Sequence, residues 1–479
     1  MRFSRALPLL TLVASFSATA YATEIAQPAA NMAQLLQAMQ ERLARLEARN
    51  AELERHLAEP APERQELADR VDDVENQVRI LKQPRKLERA LDGISASAAM
   101  TMVAQHAMGG TSTGKHESQL NYRVDVELEI PGDRLGKLIG VGDSKFFAHF
   151  RAGQGNGLGN LNSTLTGTTN SSTFQLSDGD DSAAILAQAW YQLGIPVSPR
   201  SGVLGRFEAT VGKIDMFGFF DGNDLADDES EGFLNNVFVH NPLLDSGGDI
   251  GADSYGFAPG ARLAYIDDIN SSRHWTFSLG WFGSSAGASF NGNFSKPFAI
   301  AQAEYTGKVL AGRSGNYRLY TWSNGAATAY SNEFDSTQER HAGWGLSLDQ
   351  QVTRNLALFS RYGQSSQGQV KFDRAFTFGG QLGGFGWARA RDRVGLAFGW
   401  LRPSAAFKAI APTLDANADT SPDFGFAPTG AEKQVELFYA WQVNDNLQLT
   451  PSLQWIVQPG GDGALKDIAV IGLRAKAAF

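Results

Sequence analysis

From position 119 to 130 the chain alternates without a break. Leu120, Tyr122, Val124, Val126, Leu128 and Ile130 take one parity, and Gln119, Asn121, Arg123, Asp125, Glu127 and Glu129 take the other. A period of two belongs to a β-strand, whose successive side chains point to opposite faces. One face here is hydrocarbon and the other carries charge in series, so the strand must stand between an apolar medium and water. The same alternation returns at 203–211, with Phe207, Ala209 and Val211 set against Arg206, Glu208 and Thr210. It recurs at 275–281, 342–348, 356–362, 394–400, 435–443 and 447–455. A last run sets Ala469, Ile471, Leu473, Ala475, Ala477 and Phe479 against Val470, Gly472, Arg474 and Lys476.

The connections narrow the choice. Thr353-Arg354-Asn355 and Asn444-Asp445-Asn446 are tight polar turns, whereas 153–182, 245–257 and 411–430 are long and rich in Gly, Asn, Ser and Asp. Tight turns alternating with long loops fit an up-and-down transmembrane barrel. A soluble β-sandwich fits less well, since its strands run to roughly 5–6 residues and these are often longer. The fold class expected is therefore an all-β transmembrane barrel over 94–479. At about 11 residues a strand that stretch accommodates about 16 antiparallel strands, and 14 or 18 also fit. Trp190, Trp281, Trp344, Trp400, Trp441 and Trp455 fall within or at the ends of strands, where an interfacial aromatic girdle would place them.

The region before the barrel follows another period. Residues 1–22 carry Arg2 and Arg5, an apolar run over 6–16, then Ala20-Tyr21-Ala22, the order of a secretory signal peptide cleaved after Ala22. The apolar run is too short to span a bilayer as a helix, and no later stretch reaches the ~18–20 apolar residues of one. After a linker at 23–35, a coiled coil is expected over 36–91, with an unbroken heptad register over 36–81. Leu36, Leu43, Asn50 and Leu57 fall at a, with Leu46 and Leu53 at d. Such a seam faces a partner helix in a coiled coil, with Asn50 setting register. Arg42, Arg49 and Arg70 at g meet Glu47, Glu54 and Glu75 at e only between parallel chains, so an oligomer is expected. Pro60 and Pro62 break the helix at 60–62. A helical hairpin folding on itself is the alternative, and the heptads leave dimer against trimer open.

Enzyme and metal chemistry find little support. There is no Cys among 479 residues, which excludes thiolate metal sites and disulfides. The His residues at 56, 106, 116, 149, 240, 274 and 341 form no His-Glu-x-x-His. Gly379–Gly386 lacks the Lys-Ser/Thr of a phosphate loop, and the acidic run after Asp221 has Leu225 and Gly232 where a calcium loop needs ligands. A formal charge of −9 gives no support for nucleic-acid binding. No enzyme activity, metal or cofactor is expected.

A channel acts through its wall. Strand parity puts Arg123, Arg206, Glu208, Arg361 and Arg474 toward the lumen, together with Asp125, Glu127, Glu129 and Lys476. Mixed rows of Arg and carboxylate present donors and acceptors to a passing solute. The stretch 217–236 is the candidate constriction: Phe219 and Phe220 offer flat apolar faces beside Asp221, Asn223 and Asp224.

Two segments resemble a known family. Residues 430–479, with AEKQVELFYAWQVNDNLQLTPSLQWIVQPGG followed by VIGLRAKAAF, resemble the carbohydrate-selective porins (OprB type), and GKIDMFGFFDGNDLADDESEGFLNN at 212–236 is similar to that family's central motif. The resemblance implies a Gram-negative outer-membrane porin through which sugars diffuse passively, with Arg, acidic and aromatic side chains at its constriction. Phe479 is similar to the last residue of many outer-membrane barrels, which implies recognition by the barrel-insertion machinery. A coiled coil ahead of a barrel is similar to sucrose and dicarboxylate porins, which implies a homotrimer with the coiled coil in the periplasm. Two other readings stand beside the sugar channel: a channel for dicarboxylates or other small organic anions, and an anchor that contacts the cell wall through its coiled coil.

Overall fold

The structure is a computed structural model that describes residues 40–52, 94–132, 143–174, 182–197, 205–244, 256–267, 273–284, 293–332, 338–415, 418–424 and 426–479. The chain divides into two units, residues 1–79 and 80–479. In the first, residues 40–52 are helical and exposed throughout, Leu43, Leu46 and Asn50 included. Leu36, Leu53 and Leu57, the break at 60–62, the signal segment and the linker lie outside the described residues.

In the second unit the described residues form sixteen strands: β1 (Ser95–Gly109), β2 (Glu117–Pro131), β3 (Ser144–Gln154), β4 (Ala183–Pro196), β5 (Gly205–Asp215), β6 (Phe257–Asp267), β7 (Arg273–Phe282) and β8 (Phe298–Lys308). The other half comprises β9 (Ser314–Thr328), β10 (Gln338–Gln351), β11 (Leu356–Gln367), β12 (Phe372–Gly383), β13 (Arg393–Pro403), β14 (Glu432–Gln442), β15 (Leu447–Val457) and β16 (Ile468–Ala478). Each pairs antiparallel with its neighbours in sequence, and β1 pairs with β16 to close the ring. At the seam the Phe479 N–H donates to the Ala98 carbonyl at 2.8 Å. Closure removes the unpaired edges that a lipid-immersed sheet cannot leave open.

Burial is inverted relative to a soluble protein. The apolar parity is the exposed one, with Leu120 61%, Val211 59% and Leu279 60% exposed, while its polar neighbours Asn121, Thr210 and Ser278 are buried. The outer wall thus offers hydrocarbon to lipid. Trp275, Tyr305 and Tyr317 form a chain of ring contacts near one end of that wall, with centroids 5.0 and 6.3 Å apart.

Connections are short at the end where Ser95 and Ala478 lie and long at the other. The short ones close themselves. Thr353 Oγ1 accepts from the N–H of Asn355 and Leu356, and Asn444 Oδ1 from the N–H of Asn446 and Leu447, the local pairing that makes these residues turn formers. The described part of the connection after β5, residues 216–244, turns into the barrel.

The inward loop as a candidate constriction

Asp215 starts the loop: its carboxylate accepts from the Phe217 N–H at 3.0 Å and caps a single 3-10 turn, Met216–Gly218. The loop is amphipathic, and its apolar side folds against the inner wall. Phe220 meets Phe282 edge-on at 6.2 Å, and Phe233 packs among Phe238, Phe359 and Phe438. Asn235 then caps the short helix Asn236–Val239 by accepting from the Val237 N–H. Loop and wall together make an apolar core inside a barrel whose lumen-facing rows are otherwise polar.

Wall side chains fasten the loop at several heights. Asp221, at φ +57°, is completely buried and accepts from Tyr320 Oη at 2.7 Å, the Asn241 N–H at 2.6 Å and Arg361 Nε at 3.2 Å. The same Arg361 donates to the carbonyls of Ala226 (2.6 Å), Phe238 (2.9 Å) and Asp221 (3.1 Å). Arg474 donates to the carbonyls of Glu229, Gly232 and Glu231 at 2.6–2.8 Å, and Lys476 reaches the Glu231 carboxylate at 2.6 Å. Glu436 receives the N–H groups of Leu234 and Asn235, while Asn223 donates to the Leu348 carbonyl. Buried charge is costly unless paired and hydrogen-bonded; Arg361–Asp221 and Lys476–Glu231 are ion pairs, while Arg474 is held by three carbonyls with its Nε left without a partner among the described residues.

This placement corrects part of the sequence expectation. Phe220, Asp221, Asn223, Arg361 and Arg474 are buried between loop and wall, so they hold the loop rather than face a solute. Parity located Arg361 and Arg474 inside the barrel but carried no signal that backbone would cover them. Arg123 is buried as well, bridging Asp125 at 2.8 Å and the loop's Glu229. Phe219 and Asp224 remain accessible. Arg206 is exposed and bridges Glu208, which Arg262 also meets at 3.1 Å. Trp190 departs from the girdle expectation: it points inward, stacked on Phe147 at 4.8 Å and edge-on to Phe219 at 5.7 Å.

Sequence reasoning missed Phe147, Lys145 and Arg262. The Arg262 guanidinium lies 4.9 Å from the centre of the Phe219 ring and donates to Ser278 at 3.2 Å. Lys145 sits 5.6 Å from the Trp190 ring. Phe147, Trp190 and Phe219 therefore form one aromatic cluster, with Lys145 beside its central ring and Arg262 beside Phe219. The missed signal was parity within β3, where Lys145, Phe147, His149 and Arg151 share the inner face. Farther along the loop, burial pushes the Asp227 carboxyl up to about 7 against the opposing pull of His240 at 3.8 Å and Arg361 at 3.7 Å.

Comparison with known proteins follows the same lines. The family model for carbohydrate-selective porins, OprB family, matches residues 112–479. A search of curated proteins gives no match. Among solved structures, the high-pH form of Pseudomonas putida OprB superimposes with a TM-score of 0.64 at 18% identity, covering 87% of this chain and 96% of that one. The outer membrane channel DcaP of Acinetobacter baumannii gives a TM-score of 0.45 at 11% identity, over 83% of this chain and all of that one. The sixteen-strand barrel, its inward loop and the match across residues 112–479 agree, and the chain belongs to the carbohydrate-selective porin family.

Proposed function

We propose that this outer-membrane porin passes carbohydrates by passive diffusion, and that they slide along the aromatic cluster of Phe147, Trp190 and Phe219. That cluster, with Arg262 over Phe219, is the observation that carries the reading. A sugar ring has an apolar C–H face that an aromatic ring covers and an edge of hydroxyls that exchanges bonds with charged neighbours. Arg suits the edge, since its planar fork addresses two oxygens at once.

Ion pairing favours neutral polyols over organic anions. Arg262 is paired with Glu208, Arg151 with Asp125, Lys145 with Glu129, and Arg318 with Glu304 and Asp349. A wall of pairs offers donors and acceptors without a net field for one sign of charge. The heptads add a periplasmic coiled coil that joins three copies, and Phe479 serves as the address for barrel insertion.

The test is current through the reconstituted channel. Oligosaccharide should interrupt it, and Phe219→Ala and Arg262→Ala should each weaken that block about tenfold, the equivalent of ~1.4 kcal/mol. Current indifferent to sugar, or a reversal potential with marked anion preference, would replace this reading with the organic-anion channel.

A further inference from the structure

Near the end of the barrel with the long connections, several outward-facing residues of β8–β10 are small. Ala299 and Ala301 on β8, Thr321 and Ser323 on β9 and Ala342 on β10 share one patch of the outer wall. Register places them in two rows: Trp281, Ala299, Ser323 and Ala342 in one, and Leu279, Ala301 and Thr321 in the other. With bulky Leu279 and Trp281 beside this floor of small side chains, the surface dips into a cavity of about 810 Å³ that also runs over β4–β6, past Leu193, Val211 and Leu263. That is ample for a ligand, since binding clefts run from about 300 to 1,000 Å³.

The rim is cationic. Arg340 lines the cavity, with Nε donating to Ser323 Oγ at 2.9 Å, and the nearby Lys296 reaches Gln338 Oε1 at 3.5 Å. Both are exposed, and neither has an acidic partner among the described residues. They stand at the barrel end that bears the long connections. A hydrocarbon trough with two cations at its mouth complements an acyl chain that ends in an anionic headgroup.

We infer that this trough seats an acyl chain of a phosphorylated glycolipid of the outer leaflet, with its phosphate against Lys296 and Arg340. The inference rests on the reading that the barrel lies in an outer membrane with its long connections outward. It gives the porin a fixed lipid partner on the outer face of the wall that includes Arg262.

Full-length protein in detergent is titrated with hexa-acylated, bisphosphorylated lipid A or with phosphatidylethanolamine, and occupancy is read by native mass spectrometry. Wild type should bind lipid A at least tenfold more tightly than phosphatidylethanolamine. The double variant K296E/R340E should lose that preference, and Ala301→Trp should weaken lipid A at least tenfold by filling the trough. Heat-dependent gel mobility verifies that each barrel is folded. Equal binding to wild type and both variants overturns the proposal. So does a change of oligomer mass in Ala301→Trp with lipid A binding intact, which would assign the trough to copy-to-copy contact. Conductance should not change in either variant, so a wild type that conducts nothing counts against the channel reading and leaves the lipid result to stand or fall alone.

Discussion

Replacing Arg361 with Met tests whether the inward loop is held as a unit. The side chain is 1% exposed and its partner Asp221 is completely buried. Its guanidinium makes four hydrogen bonds to the loop: one to the Asp221 carboxylate and three to the carbonyls of Asp221, Ala226 and Phe238. Met fills similar space but donates nothing, leaving a buried carboxylate supported by Tyr320 and the Asn241 N–H alone. Removing one member of a buried ion pair costs about 3–5 kcal/mol. Every lost bond joins loop to wall, so the cost falls on docking of the loop and leaves the strand ladder untouched. A docking equilibrium shifted by 3–5 kcal/mol moves the open fraction by roughly 200- to 5,000-fold. Single-channel recording should therefore show larger and noisier conductance, and limited proteolysis should cut within 216–244 while the barrel core survives. The companion Asp221→Asn should partly rescue the Met variant, because a neutral amide without its cation is less costly than a bare charge. Wild-type conductance and protease resistance in Arg361→Met would refute the clamp.

Further outcomes are equally measurable. Asp227 is neutral below about pH 7 and ionised above it, so raising pH from 6 to 8 adds negative charge beside the loop and should increase cation preference; Asp227→Asn should flatten that dependence, measured as reversal potential under a salt gradient. A Cβ on Gly363 would overlap Asn241 Oδ1, so Gly363→Val should force the loop off the wall or lower the yield of folded barrel, at about 1–3 kcal/mol of overpacking, read from heat-dependent gel mobility. Charge reversal at Arg42, Arg49 and Arg70 should loosen the oligomer without altering unit conductance, as followed by cross-linking, and an unchanged oligomer would count against parallel pairing of the heptads.

The barrel was legible wherever its two faces differ in chemistry. β2, β7, β11 and β15 each set an exposed apolar row against a polar one, and the period of two finds them at once. β9 and β12 escaped because they are apolar on both sides: Tyr320, Trp322 and Phe372 point inward, where the loop buries them, while Leu319, Phe376 and Phe378 point outward. Lipid and a private interior core make the same demand on composition, so the alternation fades where the loop docks. The constriction was legible as a segment but not as a division of labour. Phe219 and Phe220 are adjacent and identical in type, yet one lies beside Arg262 and the other is sealed against Phe282. Only packing across the lumen separates them.

The braces on the inward loop reach far along the chain. Residues 229–232 are gripped by Arg474, and Leu234 by Glu436, although the loop itself springs from β5. Those partners are synthesised long after it, and they come within reach only when the last strands have joined the cylinder. Until then the segment has only the earlier strands to rest on, through Tyr320 of β9, Leu348 of β10 and Arg361 of β11. The last fastenings of the loop are therefore made only as the ring closes, and they tie its fold to the closure of the sheet.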